Sequence, residues 1–176
     1  MKLLLHTCCG PCTIYPLGML RDEGVEVTGF FYRHNIHPYQ ECLRRQETLQ
    51  DYALQERLPL IVTPGYELEG FLRKAAFREA QRCRTCYQDR LRATARQALR
   101  DGFEAFSSTL LYSRHQQHDL IRATAEAIAR ETGVAFLYRD FRPGWQAGIT
   151  ASKSLGMYRQ PYCGCIYSEK ERYCRP

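Results

Sequence analysis

The chain has 176 residues, 44% hydrophobic and 25% charged, a balance that suits one globular domain with a sizeable core and excludes wholesale disorder. Its 25 Lys+Arg against 19 Asp+Glu give a formal net charge of +6, and arginine far outnumbers lysine. That bias fits a polyanionic partner, because guanidinium pairs with phosphate through two bonds at once. No apolar run is long enough to span a membrane and "MKLLLH" is too short for a signal peptide, so a cytoplasmic protein is expected. In that reducing compartment the nine cysteines point to metal ligation or redox catalysis rather than structural staples.

Lys2–Leu5 predicts a buried strand that opens into the loop Cys8-Cys9-Gly10-Pro11-Cys12. Ile14–Glu23 predicts a helix stopped by Gly24, and the alternating "VEVTGFFY" (Val25–Tyr32) a second strand. Pro38 is placed to start a helix running to about Arg57, and "LPLIVTPGY" (Leu58–Tyr66) reads as a third strand. Helices are predicted over Glu67–Arg78 and Arg82–Arg100, the second closed by Asp101-Gly102. "FEAFSSTLL" is a fourth strand, "QQHDLIRATAEAIARETG" an amphipathic helix and "VAFLYRDF" a fifth strand. Strands alternating with helices imply a parallel sheet covered on both faces, here one α/β domain over 1–176. Ligands of such sheets collect beyond the carboxyl ends of the strands. The loops Thr7–Thr13, Arg33–Tyr39, Ser107–His115 and Asp140–Trp145 are therefore expected to form the active rim.

Three cysteine groups face the question of chemistry. Cys83 and Cys86 are spaced i, i+3 at the start of a helix, which puts both sulfurs on one face and favours thiolate. With Cys8 and Cys9 they supply four thiolates from two elements, a set that suits an iron–sulfur cluster or zinc. Cys163-Gly164-Cys165 closes too small a ring for a relaxed disulfide, so a bond there would be strained and easily reduced, as in an electron-handling pair. Cys42 reads as a packed residue and Cys174 as part of a frayed end. Strand followed by Cys9-Gly10-Pro11-Cys12 and a helix is also the local context of a thiol–disulfide oxidoreductase, although that reading leaves two cysteine groups without a role.

The segments "LLHTCCGPC", "FFYRHNIHPYQECLRR", "RCRTCYQDRL", "FSSTLLYSRHQQHDLI", "YRDFRPGW" and "SKSLGMYRQPYCGCIYSEKERY" resemble, in this order and from Leu3 to Tyr173, the QueH family of epoxyqueuosine reductases. The chain departs from the family at Arg33-His34, where Asn-Pro is typical, and at Cys42, where an aromatic is common. The resemblance implies a Rossmann-like (HUP-type) sheet and reduction of epoxyqueuosine to queuosine at the anticodon wobble position of tRNA. It further implies a [4Fe-4S] cluster, a nearby non-cluster iron, no cobalamin and an electron donor that the sequence does not identify. Residue by residue, Cys8, Cys9, Cys83 and Cys86 match the cluster cysteines, and Cys163 and Cys165 the redox-active pair. Cys12 is placed near the extra iron; family members can carry another ligand-capable residue there.

Around these groups Tyr112, Tyr158 and Tyr162 are candidate proton donors. Asp140 is a candidate iron ligand or substrate-orienting group, or else an N-cap and partner of Arg142. Arg114, His115, His118, Arg142 and Arg159, with Tyr112, Trp145 and Tyr158, are expected to offer phosphate donors and stacking faces to an unpaired anticodon base. The rival readings are a zinc-stabilised RNA-binding module and a small thiol oxidoreductase.

Overall fold

The computed structural model describes residues 1–174. Five parallel strands, β1 (Lys2–Thr7), β2 (Glu26–Phe31), β3 (Leu60–Val62), β4 (Ala105–Ser108) and β5 (Ala135–Phe136), lie in the order β3-β2-β1-β4-β5. β1 is central because it is apolar on both faces: Leu3, Leu4 and Leu5 are fully buried, paired with Val27–Gly29 on one side and Ala105–Ser107 on the other.

The strand order reverses at β1. Right-handed crossovers in opposite directions place the first helices on one face and the later ones on the other. Thus α1 (Gly10–Asp22) packs against α2 (Tyr39–Gln55), and α4 (Arg82–Arg100) packs against α5 (His118–Thr132) and crosses β1 and β4. α3 (Leu68–Ala75) packs on α4, while α6 (Trp145–Ser154) packs on α1 and α7 (Ile166–Tyr173) follows Cys165. Among the described residues no helix is long and apolar enough to cross a membrane.

Several boundaries differ from expectation. α1 starts at Gly10, not Ile14, because Cys9 caps it: its sulfur accepts the Cys12 N–H at 3.4 Å. The fourth strand stops at Ser108, whose hydroxyl accepts the Leu110 N–H and turns Thr109–Tyr112 into a 3-10 coil. β5 shrinks to two residues at the sheet edge. α6 and α7 carry no clear apolar stripe in the sequence: α6 fully buries only Gly148 and Ser152, and α7 no residue. Gly148 is required there, since a Cβ would lie 2.1 Å from the Tyr112 hydroxyl.

Candidate active site: a thiol-lined cavity

The carboxyl ends of β1 and β4 face the N-terminal turns of α1 and α4, and the segment before α7 closes the space between them. The result is a cavity of about 420 Å³ whose wall includes Cys8, Cys12, Cys83, Cys86, Cys163 and Cys165. All nine cysteines are free thiols.

Cys8, Cys9 and Cys12 form the tightest group, with sulfurs all within 4.8 Å of one another. Hydrogen bonding with the Cys12 and Cys9 thiols, together with the Thr109 hydroxyl that donates to Cys8 Sγ at 3.5 Å, holds the Cys8 thiol well below its ordinary value. Burial pushes Cys9 up, and the bond it shares with Cys8 pushes Cys12 up. The Gln160 amide donates to Cys9 Sγ at 2.9 Å and Cys12 Sγ at 3.4 Å.

Across the cavity, burial raises the Cys83 thiol above its ordinary value. Cys86 receives the Arg90 Nε–H at 3.2 Å. Arg90 is 3% exposed and also donates to the Asn35 carbonyl at 3.1 Å and to His6 Nε2 at 3.4 Å. Burial first, then Arg90, depresses His6 to about 3, so the ring is neutral; accepting at Nε2, it carries its proton on Nδ1 toward Ser108 Oγ, 2.9 Å away. Among the described residues Arg90 has no carboxylate partner within 4.0 Å. A buried guanidinium needs an anion, and what this one faces is sulfur.

The Cys163-Gly164-Cys165 turn is gripped from below. Arg45, 1% exposed and ion-paired to Glu41 at 2.6 Å, donates to the carbonyls of Cys163 at 2.8 Å and Tyr162 at 3.0 Å. The His37 N–H donates to the Gly164 carbonyl at 2.7 Å, and His37 Nδ1 accepts the Ile166 N–H at 3.1 Å. Gly164 has φ +156°, and a Cβ would lie 3.3 Å from Arg45 Nη1, so the residue between the two cysteines must be small. Gln116 donates to Cys163 Sγ at 3.1 Å and accepts from the Tyr87 hydroxyl at 2.7 Å. Cys163 is exposed as a residue, yet its sulfur faces the cavity, where desolvation and Cys86 push the thiol to about 11. Cys165 is buried beside Phe71, Ala75 and Cys86.

The other expected site residues divide. Tyr112, Tyr162, Trp145, His115 and Arg159 line the cavity, with the Trp145 ring 5.1 Å from Tyr112 and 5.5 Å from His115. Arg114 is exposed beside His115. His118 instead is buried against the Tyr138 hydroxyl at 3.0 Å. Tyr158 bonds Glu41 at 2.6 Å under the Arg44 guanidinium, outside the cavity wall. Asp140 pairs with Arg142 at 2.7 and 2.8 Å, which holds its carboxyl down to about 2. The two partly exposed side chains are thus paired with each other. Tyr162 donates to the His37 carbonyl at 2.5 Å. The loop Arg33–Tyr39 lies behind the cavity wall as its support, through Asn35 and His37. Cys42 is buried with Phe31, Ile36 and Leu49 as expected. Cys174 is exposed at the end of α7, where its N–H donates to the Lys170 carbonyl at 2.8 Å.

Arg45, Arg90, Gln116, Gln160, His6 and His37 escaped the sequence reading. Only Arg90 carried a signal, lying four residues after Cys86 on the same helical face.

The chain matches the family model "Epoxyqueuosine reductase QueH" over residues 3–171. A curated relative of that name from Dehalococcoides mccartyi is 40% identical over 99% of this chain and 96% of its own length. Another from Thermotoga maritima is 34% identical over 97% and 91%. Among solved structures, a predicted subunit of tRNA methyltransferase from Methanocaldococcus jannaschii superposes with a TM-score of 0.58, covering 86% of this chain and 74% of that one. At 9% identity that likeness speaks for the Rossmann-like, HUP-type fold alone. By full-length sequence similarity, the chain belongs to the epoxyqueuosine reductase QueH family.

Proposed function

We propose that this protein reduces epoxyqueuosine to queuosine in tRNA, acting in the cytoplasm as a single α/β catalytic domain over 1–176. The observation that carries the reading is the convergence of six thiols, from three separate segments, on one cavity. The donor set fits iron. Thiolates are soft ligands, the Cys8, Cys9 and Cys12 sulfurs are already grouped, and N–H donors from Gln160 and Arg90 meet sulfur as outer-shell donors to iron–sulfur centres do. In this reading Cys8, Cys9, Cys83 and Cys86 hold a [4Fe-4S] cluster, and Cys12 faces an additional iron. A structural zinc site would close on four ligands, whereas these thiols line an open cavity with room for a small molecule. When bound, these groups would relay electrons one at a time and offer a Lewis acid to the epoxide oxygen.

The chain's own residues account for the rest of the stoichiometry. Cys163 and Cys165 supply two electrons and two protons. Both C–O bonds of the epoxide break, the two ring carbons form an alkene, the oxygen leaves as water and the thiols close to a disulfide. The small strained ring makes that disulfide easy to reopen by an external two-electron donor. The cavity admits one modified base but no folded tRNA arm, so the base must be splayed out to enter. Trp145 and His115 at the wall offer it stacking faces, and Arg159 and Arg114 offer donors to its phosphates.

The test is anaerobic incubation of the iron-loaded, reduced protein with epoxyqueuosine-containing tRNA, followed by mass analysis of the nucleosides. Loss of one oxygen atom is expected. Unconverted epoxyqueuosine beside a fully loaded protein would sink the reading. Cys83→Ser/Cys86→Ser should lose iron, colour and turnover together, because a hydroxyl is a poor iron ligand.

A further inference from the structure

The turn between α3 and α4 carries a feature that the cavity chemistry does not use. Phe77 is 100% exposed and has φ +60°. A phenylalanine there is doubly unfavourable, with an apolar ring in water on a left-handed backbone that bulky side chains rarely adopt. The fold does not need the ring: α3 buries Phe71 and Ala75, and the Phe77 N–H is met by Glu79 Oε1 at 3.1 Å. Arg73, Lys74, Arg78, Arg82 and Arg84 surround it in the sequence. Lys74 pairs with Asp89 and Arg82 with Glu171, but among the described residues Arg73, Arg78 and Arg84 have no carboxylate within 4.0 Å. The turn runs directly into Arg82 and Cys83, which line the cavity.

We propose that the Phe77 turn is a second RNA contact outside the catalytic cavity, where the ring stacks on an unpaired base and Arg73, Arg78 and Arg84 hold flanking phosphates. The inference rests on the reading of the protein as an enzyme of tRNA. An exposed π-face on a turn whose neighbouring positions carry exposed guanidinium groups without carboxylate partners is the combination that single-stranded nucleic acid requires, and it is tolerant of base identity. A membrane surface fits less well, because among the described residues Phe77 is the only large apolar side chain that is fully exposed and α3 turns Phe71 and Ala75 to the core.

The test is filter binding of the full-length protein to unmodified tRNA, which reads affinity without turnover. Phe77→Gly removes the ring and relaxes the backbone, since glycine adopts positive φ freely. Its thermal unfolding should stay close to the parent's while tRNA binding weakens roughly five- to hundredfold, the range of one base–aromatic stack. Phe77→Asn, which also tolerates this backbone, should behave alike, and Phe77→Trp should restore affinity. The triple variant Arg73→Ala/Arg78→Ala/Arg84→Ala should flatten the log–log salt plot by roughly 2, about 0.7 per phosphate contact. Unchanged affinity in Phe77→Gly overturns the inference and leaves the reductase reading standing, whereas wild-type protein that binds no tRNA overturns both. A Phe77→Gly protein that keeps tRNA affinity but loses self-association, or adhesion to phosphatidylserine vesicles, overturns it as well.

Discussion

Arginine does opposite work in two regions of this molecule. Inside, Arg45 and Arg90 are almost fully buried and hold fixed partners: carbonyls of the Cys163 turn, the Glu41 carboxylate, and the Cys86 sulfur. Outside, Arg73, Arg78 and Arg84 are exposed without a carboxylate partner among the described residues. Desolvation separates the two. A buried guanidinium has lost its water and must be repaid by protein dipoles and anions, so it organises what surrounds it. An exposed one stays hydrated and is available to a partner's phosphates, at an energy that salt screens. Net charge alone would have counted both alike.

The sharpest break between interior framework and reactive group should come from Cys163→Ser/Cys165→Ser. The arginine grip acts on backbone carbonyls, so this variant should keep its fold, its iron and its tRNA affinity while turnover with the physiological donor collapses. Loss of iron would make these residues ligands, and retained turnover would leave them without a redox role.

Removing the grip should do the reverse. Arg45→Met leaves the Glu41 carboxylate with the Tyr158 hydroxyl but no cation and frees the carbonyls of Tyr162 and Cys163, a loss of about 3–5 kcal/mol for breaking a buried pair. Urea unfolding measures it, and faster alkylation of Cys163 and Cys165 would show the turn released. An unchanged unfolding midpoint would mean that the turn is held otherwise.

A smaller effect follows from pH. Burial lowers His37 to about 4, and its Nδ1 must stay unprotonated to accept from Ile166. The folded value lies below the unfolded one of about 6.5, so this contribution is complete above that pH and is lost as pH falls toward 4. Up to roughly 3 kcal/mol is at stake. Unfolding titrations between pH 7 and 4 should show His37→Gln with a flatter decline than the parent.

The smallest expected change belongs to the exposed set. Arg114→Ala should leave the unfolding midpoint within about 0.5 kcal/mol of the parent and reduce the salt slope of tRNA binding by roughly 0.7. A large stability loss there would erase the distinction between the two classes of arginine.

The alternation of strands with amphipathic helices was legible because each element obeys its own period, and the apolar run of β1 read as a buried strand, whose central place only the sheet order shows. The three cysteine groups stood out for the same reason: residue type and short spacing are properties of neighbouring positions. α6 escaped because it fits its neighbours through small residues, Gly148 beneath the Tyr112 hydroxyl, which leave no hydrophobic period. The Asp140–Arg142 pair lies only two residues apart, yet nothing in the sequence distinguished a pair from a ligand and a phosphate donor until both side chains were seen bound to each other.

By itself, then, the sequence determined the α/β class, the family and which thiols to watch. Tertiary structure alone decided how those thiols are held. Arg45 reaches a carbonyl 118 positions away, Gln160 a sulfur 151 positions away, and Arg90 joins Cys86 to Asn35 and His6. Such partners share no local period or spacing. They meet because the parallel sheet carries the ends of distant segments to one edge, where burial favours pairing of polar groups.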